Sequence, residues 1–147
     1  MADEPMAADE ALTRPIGWWL KQADARLDAA FDRAVADLGG DRRGWQVLSV
    51  VAVRPTPRTT IVAALTAFDS PEAVAGAVQA LVSDALLEQD GGVLRLTLEG
   101  ARRHAALSPL VEQVRQTVRD ALPEEDYVAL IGLLARLVAA LDPVAPA

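Results

Sequence analysis

Leu86-Leu87-Glu88-Gln89-Asp90-Gly91-Gly92-Val93-Leu94-Arg95-Leu96-Thr97-Leu98-Glu99-Gly100 is the stretch that decides the fold. Leu86 to Asp90 and Val93 to Leu98 flank Gly91-Gly92, and that glycine pair suits a two-residue hairpin turn whose central positions take positive φ. Thr97 offers a capping hydroxyl, and Glu99 falls in the first turn of the helix that follows. His104, Leu107, Val111, Val114, Val118 and Leu122 then recur at helical spacing. A hairpin feeding directly into a long helix is the expectation. Pro109 either kinks that helix or begins a new one capped by Ser108, and the residues leave both open.

Upstream of the hairpin the pattern is helical. Residues 1–12 carry Asp3, Glu4, Asp9 and Glu10 without a basic residue and read as a disordered acidic tail. Thr13 is expected to cap a first helix, with Pro15 in its first turn and an apolar stripe through Ile16, Leu20, Ala23, Leu27, Phe31, Ala34 and Leu38 up to Gly39-Gly40. Asp41 suits the cap of a second helix with Trp45, Leu48, Val51 and Ala52 inward, ended by Pro55 and Pro57. Thr56-Pro57 is expected to start a short third helix with Ile61, Ala64, Leu65 and Phe68 inward. Ser70-Pro71-Glu72 opens a fourth, burying Val74, Val78, Leu81 and Ala85. Downstream, Pro123-Glu124-Glu125 opens the last helix, with Tyr127, Leu130, Ile131, Leu134, Leu137, Val138 and Leu141 on one apolar side. Residues 143–147 read as a disordered tip.

The 147 residues suit one domain, and 52% hydrophobic content is enough for a core. There is no cysteine, which excludes disulfides and thiolate metal sites. No run is long and apolar enough for a leader or a membrane span, so a cytoplasmic protein without membrane association is expected. The net charge of −7 argues against broad affinity for anionic polymers. Arg supplies 13 of the 14 basic residues, and Arg is the better partner for phosphate.

The order of elements, together with several segments, resembles the MarR family of winged helix-turn-helix regulators over residues 13–142. The segments are Arg14-Pro15-Ile16-Gly17-Trp18-Trp19-Leu20, Arg42-Arg43-Gly44-Trp45-Gln46-Val47-Leu48, Leu96-Thr97-Leu98-Glu99-Gly100 and Leu122-Pro123-Glu124-Glu125-Asp126-Tyr127. The resemblance implies a mainly α fold with a small β-hairpin wing, assembled as an intertwined homodimer. Residues 13–40 and 98–142 would be the dimerisation helices of this single domain, and 41–97 the winged helix-turn-helix lobe. The apolar stripe of the last helix fits such a partner, with packing inside one chain as the alternative.

The resemblance also implies a transcriptional regulator that puts its fourth helix into the major groove of double-stranded DNA. From Thr59 to Leu94, however, 36 residues pass without a Lys or Arg. Phosphate contacts need cations, so this gap bears directly on DNA binding. The reading positions of the fourth helix are Glu72, Ala73, Ala75, Gly76, Gln79 and Ala80, of which Gln79 suits a two-pronged base contact. The expected DNA-binding set is Arg42, Arg43, Arg54, Arg58, Thr59, Ser70, Gln79 and Arg95, with solvated surface or internal ion pairs as the alternative role for the first four arginines. Two readings follow: a regulator with a weak or shape-driven operator contact, or a dimeric winged-helix module that has lost direct DNA reading and acts through a ligand or protein partner.

Family members bind small aromatic or anionic molecules between the dimerisation helices and the lobe. The expected pocket residues are Arg14, Trp18, Trp19, Trp45, Arg103 and His104, with core packing as the simpler role for Trp45. An enzyme is not expected. His104 is the lone histidine, and neither a nucleophile elbow, a phosphate-binding glycine loop nor a metal cluster appears. No cofactor and no metal are expected.

Overall fold

The computed structural model describes residues 6–143. The tail expected over residues 1–12 and the tip over 143–147 thus lie partly outside the described residues. Within the tail, α1 (Ala8–Ala11) forms a single turn. Thr13 does not cap the following helix. Its hydroxyl reaches back to the Glu10 carbonyl at 2.6 Å and closes α1 instead. The next helix, α2 (Ile16–Val35), starts from an extended Pro15 without a side-chain cap. A 3₁₀ turn over Ala36–Leu38 carries the chain to Gly39, whose φ of 72° ends the run.

Asp41 caps α3 (Arg42–Val53) by accepting from the Gly44 N–H at 2.7 Å. Arg54 is fully extended, as a residue before proline prefers, and the helix stops there. Thr56-Pro57 does not start a helix. It forms a strand, β1, and α4 (Arg58–Leu65) begins after it. Ser70 caps α5 (Pro71–Ser83), accepting from the Ala73 N–H at 3.1 Å with proline at the first helical position. The hairpin follows as β2 (Leu87–Asp90) and β3 (Val93–Leu96), with Gly91 and Gly92 at φ 57° and 83°. β3 pairs antiparallel with both β2 and β1, so the wing belongs to a three-stranded sheet of order β1-β3-β2 and not to an isolated hairpin.

Thr97 caps α6 (Leu98–Ala121) by accepting from the Gly100 N–H at 2.9 Å. The helix runs through Pro109 without a break. Pro109 and Ala105, whose carbonyl loses its usual i+4 donor, are both exposed, so the orphaned oxygen is open to solvent. The last helix is α7 (Glu124–Leu141), with Glu124, Glu125 and Asp126 at its positive end.

The core joins α3, α4, α5, the sheet and the first half of α6, with Leu48, Ile61, Val78, Leu94 and Leu107 fully enclosed. Ala52, Ala64, Phe68 and Ala85, expected inward, are exposed, and Val47 is buried in their stead. Ala85 turns outward because it adopts a left-handed backbone, φ 59°, to swing the chain from α5 into β2. That corner is locked from α6. The Thr97 hydroxyl donates to the Ala85 carbonyl at 2.6 Å, and its N–H donates to the Leu86 carbonyl at 3.2 Å. A Cβ on Gly100 would lie 1.9 Å from that Leu86 oxygen, so only glycine fits at this crossing.

α2 packs along α6, while no residue of α7 is buried. On α7, Tyr127, Leu130, Ile131, Val138 and Leu141 are 38–73% exposed. Among the described residues no helix is long and apolar enough to cross a membrane, and no group of His, Cys, Asp or Glu is placed to hold a metal ion.

Candidate nucleic-acid interface and ligand junction

α5 buries Val74, Val78 and Leu81 against the lobe and turns the opposite side outward. Glu72, Ala73, Gly76, Gln79 and Ala80 are exposed there, and Ala75 is half-buried. Apart from Glu72 and Gln79 this side is nearly featureless, and nothing lies within 4 Å of where a Gly76 Cβ would be. The hydroxyl of Ser70 accepts from the Ala73 N–H, which leaves its own proton free for an acceptor such as phosphate. Thr59 is exposed in the first turn of α4.

The arginines divide into two groups. Arg42 donates to the Asp28 carboxylate at 2.7 Å, lies 4.8 Å over the Phe31 ring, and tethers α3 to α2. Arg43 is held by Asp69 at 3.3 Å, by the Phe68 carbonyl at 3.0 Å and by the Gln46 amide. Their side chains are only 16% and 14% exposed, so both are spent on intramolecular partners that a phosphate would have to displace. Arg54, at the end of α3, and Arg95, on β3 across from Glu88, are exposed and form no ion pair among the described residues. Arg58 sits between these cases. It is half-buried, and its guanidinium donates to Gln89 at 3.0 Å and to Gln79 at 3.4 Å.

The six expected pocket residues do not share one cavity. Arg14 stacks on Trp18 at 4.1 Å, and Trp18 meets Trp19 edge-on at 4.8 Å, which makes one cluster at the start of α2. Trp45 is buried in the core and stacks face to face on His104, with ring centroids 4.7 Å apart. Ser49 Oγ lies 3.4 Å from His104 Nε2, and burial holds the imidazole below its ordinary pKa. Arg103 lines a small cavity of about 110 Å³ with Trp45, Gly39, Gly40 and Asp84. A larger cleft, about 610 Å³, opens between α2, the second half of α6 and the start of α7. Leu27, Phe31, Val118 and Leu122 form its floor, and Arg115, Arg119, Glu124 and Tyr127 its rim. None of the rim residues was expected. Their one trace in the sequence is Arg115 and Arg119, spaced i,i+4 beside the Val118–Leu122 stripe.

No protein-family model matches the chain, and no curated protein matches it. Solved structures do. A probable transcriptional regulator of Pseudomonas aeruginosa is 25% identical, with TM-score 0.72, covering 86% of this chain and 98% of its own. A MarR-family protein of Mycobacterium tuberculosis in complex with DNA is 18% identical, with TM-score 0.63, covering 84% and 98%. The chain has the MarR winged-helix fold. BpsR of Bordetella bronchiseptica, whose DNA binding is regulated by 6-hydroxynicotinic acid, shares that fold at 24% identity and TM-score 0.73, over 90% and 98% of the two chains. α5 is the helix expected from the sequence to enter the major groove, and β2–β3 is the expected wing.

Proposed function

We propose that this chain is a MarR-type transcriptional regulator that works as a homodimer, binds double-stranded DNA through α5 and the wing, and responds to a small aromatic or anionic ligand. The observation that carries the reading is the outward, uncovered side of α5 set beside a wing that Thr97 and Gly100 lock in place. The DNA-bound neighbour and the neighbour regulated by 6-hydroxynicotinic acid support it by sharing the fold. The exposed apolar side of α7 supports a second copy, since a contiguous patch of that kind on a soluble chain marks an interface.

The arrangement of charge sets the strength of binding. With Arg42 and Arg43 held internally, Arg54, Arg58 and Arg95 are the cations left for phosphate. A dimer then makes at most about six such contacts, and its log–log salt slope is about −5. The test is fluorescence anisotropy of the protein with fragments of its own upstream DNA across a salt series. Binding at low salt that fades with about this slope supports the regulator.

The acidic character of the reading side favours a second reading, in which the fold is kept as a dimeric module that acts through a ligand or protein partner without direct DNA contact. Absence of binding to every upstream fragment at low salt selects it.

A further inference from the structure

We propose that Arg58 is a positioning residue that ties the wing to the recognition helix and presents the Gln79 amide to base edges, with Gln89 as its anchor. This rests on the DNA-binding reading above. Arg58 opens α4 and joins three elements at once. Its N–H donates to the Gly92 carbonyl at the hairpin turn at 3.1 Å, and its guanidinium donates to Gln89 Oε1 of β2 at 3.0 Å and to Gln79 Oε1 of α5 at 3.4 Å. The shorter bond goes to the wing, so Gln89 fixes the guanidinium and the guanidinium orients Gln79.

The consequence lies in the chemistry of an amide. A glutamine offers a carbonyl acceptor at one corner and two N–H donors at the other, and free in water it samples both presentations. With Oε1 turned toward a cation, Nε2 is the end left facing outward. Donors there complement the major-groove acceptors, purine N7, guanine O6 and thymine O4. The outward neighbours Ala73, Ala75, Gly76 and Ala80 have no side-chain hydrogen-bonding groups, so base discrimination by the middle of α5 falls to Gln79. Selectivity at one base pair in each half-site therefore depends on Gln89, a wing residue that need not touch that base pair.

The test is selection from a randomised duplex pool at low salt, with salt titrations, for this chain and its Gln79→Ala, Gln89→Ala, Arg58→Ala and Gln79→Ala/Gln89→Ala variants, each matched for melting temperature. Gln79→Ala is expected to lower the preference at one base pair by roughly 2- to 10-fold, the worth of a single hydrogen bond. Gln89→Ala, which removes no charge, lowers the preference at the same base pair and leaves the salt slope unchanged, and the double variant is no worse than Gln79→Ala alone. Arg58→Ala lowers that preference and also reduces the slope by about one unit per protomer. Wild-type selectivity in Gln89→Ala or in Gln79→Ala overturns the proposal, as do effects of the two at different base pairs that simply add. A folded wild type that enriches no sequence overturns the DNA-binding reading itself, and the proposal with it.

Discussion

Replacing Gly100 with alanine sets two opposed effects against each other, and the structure decides the winner. Alanine is favoured over glycine in a helix by about 1 kcal/mol, so propensity alone predicts a more stable protein. At Gly100 the new Cβ would lie 1.9 Å from the Leu86 carbonyl oxygen, a backbone atom with no rotamer to change. Restoring ordinary contact moves the start of α6 by about 1.5 Å from the α5–β2 corner, and forced overpacking of this kind costs about 1–3 kcal/mol. The shift also strains the bonds from Thr97 to Leu86 and Ala85, and one poorly satisfied buried group costs about 1–3 kcal/mol more. The net expectation is a loss of about 2–4 kcal/mol, or roughly 5–15 °C in melting temperature for a chain of this size. Gly76→Ala is the matched control, because it gains the same helix propensity on an open surface and should stabilise by about 0.5–1 kcal/mol. Urea unfolding followed by tryptophan fluorescence, at one fixed protein concentration, measures both. A Gly100→Ala variant within about 1 kcal/mol of the parent would refute the steric reasoning.

Ile131→Asp places a charge in the middle of the exposed apolar side of α7, and sedimentation should report a dimer for the parent at micromolar protein and a monomer for the variant; an unchanged dimer would mean that α7 is not the interface. His104 has its pKa lowered by burial, so the unfolded chain binds its proton more readily than the folded one. Stability from this group is fully present above the unfolded value near 6.5 and is lost as pH falls through the folded value. His104→Gln should flatten that acid-side decline in melting temperature, and an identical pH profile would refute the assignment. An aromatic carboxylate is expected to quench tryptophan fluorescence and to raise the melting temperature by preferential binding to the folded state; a broad set of such acids without a thermal shift would count against ligand response.

Much of the fold is written in local signals. The Gly91-Gly92 turn and the capping side chains Asp41, Ser70 and Thr97 each act within a few residues of themselves, and all appear in the structure where the sequence places them. Features that depend on distant partners were not legible. Thr56-Pro57 looks like a helix start until it pairs with Val93 and Leu94, far along the chain. Thr13 is the local exception: its hydroxyl bonds back three residues to Glu10, and two local options competed for it. The arginines are the clearest case: nothing near Arg42 or Arg43 in sequence reveals that Asp28 and Asp69 will claim them. The cleft beside Tyr127 needs three helices brought together, and periodicity along one helix does not show it. Gly100 shows the reverse. Its place in Leu96-Thr97-Leu98-Glu99-Gly100 was plain in the sequence, but the reason for it, the close approach of Leu86, is visible only in three dimensions.

Pro109 removes one bond from the backbone ladder of α6, between Leu107 and Val111, which both pack into the core, and ahead of the stretch that runs along α2. From Leu98 to Pro109 the helix is a lever arm of about 16 Å. In the proposed dimer, a flexure of about 10° there would carry its tip through nearly 3 Å, and two mirrored arms would change the span between the paired α5 helices by about twice that, against a groove-to-groove repeat of about 34 Å on the duplex. In that arrangement a modest torque at the base of the helix would become a mismatch in operator register.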